Sequence, residues 1–307
     1  MIVFVIMNKC QMRITLLGIV ALLAFSPASD AKSEADWKVW VQKLSDRYQE
    51  KLATPSIAHF IYFNKLGESA FVDFQKRARF VKAPCKTCQL KVTWESQHSV
   101  LVQDLNSSHK MTFKVGQSET FAWKKNLYFS SYEVDSRKRL RVFIHDLSDP
   151  DLAKKRKRRF FSYDPQSAYV AQWVWLPSPR SIKMQRSDGS VEEMSALAQL
   201  HFSMGDEKGS LSVYDYAEKE SVVREQDNVL LLFRDLSNGR QTYGAGRFMH
   251  LDLGKKVGDI KTGDKIRIDF NYSYNPPCSV SEGFHCPLPQ DFLNSDIQAG
   301  EKYDKLH

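Results

Sequence analysis

Glycine and proline are sparse, 14 and 11 in 307 residues, and no periodic repeat runs through the chain. With 42% hydrophobic, 26% charged and 12% aromatic residues, this composition excludes a disordered or collagen-like chain. The missing repeat excludes a propeller or solenoid. There is no Gly-x-Ser-x-Gly elbow, no His-Glu-x-x-His and no phosphate-binding glycine loop, so the readable hydrolase, zinc-peptidase and nucleotide signatures are all lacking. His59, His98, His109, His145, His201, His250 and His307 show no ligand spacing. No metal and no cofactor is predicted, and enzyme status stays open.

Cysteine is scarce too, with five in the chain. Cys10 lies in an N-terminal segment with its own organisation: Lys9 and Arg13, an uncharged apolar run over 14–25, then Ser26-Pro27-Ala28-Ser29-Asp30-Ala31 with small residues at Ser29 and Ala31. That order is a secretory signal, and the run is shorter than the about 20 apolar residues that span a bilayer. Residues 1–31 are therefore expected to be a signal peptide cleaved after Ala31. The four remaining cysteines, Cys85, Cys88, Cys278 and Cys286, suit an oxidising compartment. None sits beside the cleavage site to carry a lipid, so a soluble, periplasmic bacterial protein is expected.

The formal net charge is +8, of which Lys9, Arg13 and Asp30 supply one net positive charge. Six of the remaining seven charges sit in one run, Lys154-Lys155-Arg156-Lys157-Arg158-Arg159. Such a run binds an anionic envelope surface electrostatically or serves as a solvated, self-repelling connector. Without interleaved aromatics, and with export expected, nucleic acid is not an expected partner.

Ser33, with Asp36 three residues on, reads as a helix N-cap, and Trp37, Trp40, Val41, Leu44 and Tyr48 recur at helical spacing, predicting an amphipathic helix over 34–52. Its aromatic stripe reads as a docking face ahead of a ligand box. Short β-prone stretches follow at 59–64, 70–74, 90–94, 100–104, 111–115, 126–129 and 139–144, several alternating in type as Leu90-Lys91-Val92-Thr93-Trp94 does. A second β series begins after the basic run. It has a strand at 169–176 ended by Pro177-Ser178-Pro179, and a hairpin of 181–185 and 191–194 around Asp188-Gly189. A further hairpin joins 197–203 to 210–215, and central strands lie at 228–234 and 265–270. The fold class is mainly β: an N-terminal helix and two antiparallel modules, 32–150 and 151–307, sandwich-like or barrel-like.

The most specific residues come after Phe233. Phe233-Arg234-Asp235 leads to Thr242-Tyr243-Gly244-Ala245-Gly246-Arg247-Phe248, then to Asp269-Phe270-Asn271-Tyr272-Ser273-Tyr274-Asn275-Pro276-Pro277-Cys278, Cys286-Pro287-Leu288-Pro289 and Ala299-Gly300-Glu301. In this order they resemble the bacterial and archaeal domain-of-unknown-function family 1684, over residues 228–301. Its members carry Thr-Tyr-Gly-Gly-Gly-Arg-Phe, Asp-Phe-Asn running into Tyr-Asn-Pro-Pro-Cys, Cys-Pro-Leu-Pro and Ala-Gly-Glu. Ala245 stands here for the third glycine, and Asp291 for an asparagine.

Gly244 and Gly246 permit positive φ, and Arg247 offers a planar fork for a carboxylate or phosphate. Its expected partner is Asp269 or Glu301, in a buried pair that locks the C-terminal segment; facing a cleft instead, Arg247 would grip an anionic ligand. Asp269 and Asn271 are placed on one strand face, and Asn271 and Asn275 bracket Tyr274 as turn builders. The functional expectation is a module binding a small anionic ligand near Arg247 and the Asn-Pro-Pro loop, with Asp269, Asn271, Tyr274, Asn275 and Glu301 as further candidates. One alternative is a hydrolase-like enzyme using Asp269 with His285 or Glu301; another is a structural, partner-binding envelope protein. Cys278 and Cys286 are expected as a disulfide. For Cys85-Lys86-Thr87-Cys88, which runs into a strand, a structural bridge ranks ahead of a redox pair, and a zinc site third.

Overall fold

The computed structural model describes residues 32–75, 77–115, 121–123, 127–134, 139–187, 189–215 and 224–304. The expected signal segment 1–31, Asn126, Asp188 and His307 lie outside the described residues. Among those described, no helix is long and apolar enough to cross a membrane.

Helix α1 spans Glu34–Gln49. Its capping box is complete: the Ser33 hydroxyl accepts from the Asp36 N–H at 3.2 Å, and the Asp36 carboxylate accepts from the Ser33 N–H at 2.8 Å. The helix stops short of residue 52 because Glu50 turns to an extended conformation, and the Glu50 and Lys51 carbonyls accept from Arg156 at 3.1 and 2.9 Å. Its tryptophans dock on the C-terminal half of the chain. Trp40 meets Phe160 and Tyr272 at 5.7 and 5.2 Å between ring centroids, and Trp37 donates from Nε1 to the Asn271 carbonyl at 3.1 Å. Each such aromatic pair contributes about 0.5–1.5 kcal/mol beyond its area burial.

Strands β1 Ile57–Phe63, β2 Ser69–Asp73, β3 Arg79–Val81, β4 Cys88–Ser96, β5 Ser99–Asp104, β6 Lys110–Lys114, β7 Phe121–Trp123, β8 Leu127–Val134 and β9 Arg139–Asp146 follow. They form two antiparallel sheets, ordered β1-β9-β8-β7 and β3-β2-β4-β5-β6. Alternation drives them together: Leu90, Val92 and Trp94 of β4 point inward with Val100, Val102, Leu140 and Val142 in one core. At its edge His145 is buried on β9, its ring nitrogens 3.0 Å from the Ser56 hydroxyl and 2.8 Å from the Ser130 hydroxyl.

After a short helix α2, Leu152–Arg156, come β10 Ala168–Gln185, β11 Val191–Met204, β12 Glu207–Asp215, β13 Asn228–Asp235, β14 Arg247–Asp252, β15 Lys265–Asp269 and β16 Phe292–Leu293. The sheet β12-β11-β10-β15 faces a smaller one ordered β14-β13-β16, around Trp173, Leu200, Leu231, Phe233, Met249 and Phe270. Pro177 and Pro179 do not end a strand, contrary to the sequence reading. They sit exposed in one continuous β10, within a register shift between Trp175 and Arg180, where a missing N–H costs no ladder bond. The second hairpin is also tighter than read, because Glu207 pairs Met204 around Gly205-Asp206 with Gly205 at φ +62°. Residues 247–252, to which the sequence reading assigned no strand, form β14.

The basic run is not a solvated connector. Lys155 pairs with Asp149 at 2.7 Å, Arg156 holds the end of α1, Arg158 pairs with Glu301, and Arg159 with Asp304 at 3.0 Å. A second tie is the loop between Cys278 and Cys286. There Ser281 donates to the Ile57 carbonyl at 2.6 Å, and Phe284 packs on Phe60 and Phe143. A Cβ on Gly283 would lie 2.9 Å from the Ala58 carbonyl oxygen and the His59 Cα, so the close approach requires glycine.

Burial pushes His145 down to about 4, so the fold holds it neutral. A depressed folded pKa gives stability that is present above the unfolded value and lost as pH falls through the folded one. Urea denaturation of the protein is expected to lose about 3 kcal/mol of stability between about pH 6.5 and about pH 4 from this group. That component should vanish in His145→Gln.

Candidate functional site

Arg247 opens β14 directly across from Phe233, which leaves the end of β13 beside its guanidinium. The side chain is fully buried, and Nη2 lies 2.5 Å from the Asp235 carboxylate, itself fully buried. The two terminal nitrogens also reach the Ala299 carbonyl at 2.5 Å and the Ile297 carbonyl and the Ser273 hydroxyl at 3.1 Å each, while Nε has no hydrogen-bond partner in the protein. Burial lowers its pKa, against the opposing pull of Asp235. The expected ligand grip at Arg247 is thereby corrected. The fork is spent on a carboxylate and two carbonyls, and the partner is Asp235 rather than Asp269 or Glu301. Two glycines make the approach: a Cβ on Gly246, at φ +112°, would lie 2.9 Å from the Phe233 carbonyl oxygen, and one on Gly300, at φ +77°, 2.5 Å from that of Ser273. Gly244 has no positive φ, contrary to the sequence reading.

Asp269 and Asn271 do not share a strand face, because β15 ends at Asp269 and residues Phe270–Tyr272 form a 3-10 turn capped by its side chain. Asp269 accepts from the Asn271 N–H at 3.1 Å and from its Nδ2 at 2.8 Å, while the Asn271 amide also grips Asp164 at both backbone groups. Asn271 is buried and fully used there. Tyr274 packs on Phe248 and stacks on His250, and burial raises its pKa.

Asn275 and Glu301 are brought together. The Glu301 carboxylate accepts from the Asn275 N–H at 2.8 Å and pairs with Arg158, which lies over the Tyr48 ring at 3.9 Å. Burial pushes Glu301 up to about 7, with Arg158 opposing the rise. Both residues line a cavity of about 200 Å³. Lys154, Lys155, Lys157, Arg159 and Lys302 line it too, with Ser279, against the carboxylates of Glu301 and Asp304. The Arg158 side chain is 1% exposed, and its Nε and Nη1 have no hydrogen-bond partner in the protein.

Sequence reasoning missed that the basic run and the Asn-Pro-Pro loop meet, since about 120 residues separate them. It also missed Asp235, for which a signal existed: the apolar run at 228–234 and Arg247-Phe248 are hairpin neighbours, and hairpin pairing sets Asp235 beside Arg247.

Cys85 and Cys88 are joined by a disulfide, S–S 2.03 Å, at the entry to β4. Cys278 and Cys286 stand as thiols, correcting the expected bridge. The Cys278 N–H donates to the Cys286 sulfur at 3.3 Å, and the thiol contact lowers the Cys278 pKa and raises that of Cys286. Their loop is held by the Ser281 and Phe284 contacts instead. For the hydrolase arrangement, Asp269 lines one hollow and Glu301 another, and His285 acts electrostatically on His59 of β1. Among the described residues, no group of three or more His, Cys, Asp or Glu is placed to hold a metal.

Removing one member of a buried pair leaves the other charge uncompensated. Arg247→Met is expected to cost about 3–5 kcal/mol in urea denaturation.

A family model described as a protein of unknown function, DUF1684, matches residues 156–302. Among solved structures, the chain is similar to the solution NMR structure of an uncharacterized protein of Haloarcula marismortui, at 30% identity over 52% of this chain and 83% of that one, with a TM-score of 0.42. No match is found among curated proteins. The matched segment begins within the basic run, ends just past Glu301 and encloses both Asp235 and Arg247, so residues 156–302 of the chain belong to the DUF1684 family of proteins of unknown function.

Proposed function

We propose that the chain is an exported envelope module that binds a small dianion, phosphate or a phosphomonoester, in the cavity between the basic run and the Asn-Pro-Pro loop. The observation that carries this is Arg158. A buried guanidinium lines the cavity with two nitrogens unpartnered in the protein, and an unmet buried donor costs about 1–3 kcal/mol unless a ligand or water takes it. Lys157 and Lys302 at the wall add charge, and Asn275 and Ser279 add polar groups. A volume of about 200 Å³ lies below the usual about 300–1,000 Å³ of organic-ligand pockets, which suits an inorganic or very small ligand. Export is supported by the order of residues 1–31 and by the Cys85–Cys88 disulfide.

Isothermal titration of the protein with sulfate and with phosphate tests the site. Saturable binding with Kd at or below about 1 mM is expected, weakened at least about tenfold in the Lys157→Ala, Lys302→Ala double variant. No saturation, or an unchanged affinity in that variant, sinks the reading. Sulfate binding should also tighten as pH falls, because Glu301 competes for Arg158 only while ionised and it is protonated below about 7. Between about pH 8 and about pH 6 the gain approaches about tenfold, the change in the competent fraction, and it should disappear in Glu301→Gln.

A further inference from the structure

A larger cleft of about 570 Å³ opens between α1 and the C-terminal module, separate in its lining residues from the basic cavity. Its walls are aromatic. Trp40 of α1 stands half-buried against Tyr272, and Tyr274 carries the His250 ring stacked on it at 5.8 Å and 16°. Charges at the rim balance, Lys32 and Lys43 against Asp36 and Asp252, with Lys32 and Asp252 3.7 Å apart. A net anion or cation gains nothing from such a rim.

At the inner end a smaller hollow shares Lys32, His250, Asp252 and Tyr272 with the cleft and adds Arg267 and Asp269. Here three buried polar atoms have no hydrogen-bond partner in the protein: the Tyr272 hydroxyl, Asp269 Oδ2 and Arg267 Nε. Tyr272 is 8% exposed and Asp269 7%. Asp269 raises the Tyr272 pKa along with burial, which fits their proximity and keeps the phenol protonated as a donor. Arg267, 3.7 Å from Asp269 Oδ2, lies outside hydrogen-bond range. Tyr272 and Arg267 Nε are donors and Asp269 Oδ2 an acceptor, a set that suits hydroxyls, which both donate and accept.

From this juxtaposition we infer that the cleft binds a neutral polyhydroxylated ligand, a sugar ring, with one hydroxyl between Tyr272 and Asp269 and a C–H face against the aromatic wall. Aromatic faces are negative and attract polarised C–H groups. Carboxylates and an amide at the rim, Asp36, Asp252 and Asn228, accept hydroxyl protons. An all-apolar ligand would leave the inner pair unmet, and an anion would meet Asp269.

Tryptophan fluorescence and NMR titration of the protein with maltose, cellobiose and N,N′-diacetylchitobiose, to about 10 mM, reads the site at the affinities weak sugar sites have. At least one disaccharide is expected to saturate, and Tyr272→Phe, which deletes only the hydroxyl, should weaken it about fivefold with the thermal midpoint kept. Sulfate should not compete. Overturning results are no saturation by any of the three, unchanged binding in Tyr272→Phe, or competition by sulfate. Because the basic cavity is tested with sulfate and phosphate and the cleft with neutral sugars, either site can fail without the other.

Discussion

The Arg247–Asp235 pair is the constraint around which the C-terminal module is arranged. A sealed ion pair loses its hydration, and its mutual attraction repays that loss only when the remaining hydrogen-bonding groups are met. Four segments meet those of the terminal nitrogens, leaving Nε without a partner: β13 brings Asp235, β14 brings Arg247, the 3-10 turn after β15 leads to Ser273, and the tail brings the Ile297 and Ala299 carbonyls. The glycines at 246 and 300 let backbone come close enough for this to happen. The stretches that mark the family thus contribute Asp235, Arg247 and Ala299 to one buried electrostatic lock. At those three positions conspicuousness in sequence reports folding rather than ligand contact.

By fixing the tail and the turn, the lock sets both cavities. On one side the tail continues from Ala299 to Glu301, whose carboxylate meets Arg158 and the Asn275 N–H at the basic cavity. On another the same turn presents Asp269 and Tyr272 to the aromatic cleft, with Asn271 holding Asp164 and Trp37 behind it. Helix α1 closes that cleft and ends at the basic run, so one helix touches the framework of both sites.

Strand alternation and capping were legible because they are local. Ser33 and Asp36 mark the start of α1, and Leu90, Val92 and Trp94 mark an inward face, each within a few residues. What escaped was set by contacts distant in sequence. Pro177 and Pro179 read as a stop, yet the sheet carries them at an exposed shift between flanking ladders. Arg247 read as half of a buried carboxylate pair or as a ligand hand, because an arginine beside glycines suits either; burial decides for the pair, with Asp235 as the partner that the sequence did not name. Arg158 was visible only as one charge in a run, since nothing near it in sequence announces Tyr48 or Glu301.

The loop between Cys278 and Cys286 gives the two halves a shared fate. Phe284 fills a place beside Phe60 and Phe143, and Gly283 lies flush on the backbone of β1. A fragment cut at residue 150 would carry an uncovered greasy socket, and its counterpart a protruding phenylalanine with nowhere to go. Each piece would bare an apolar surface that the whole chain keeps covered.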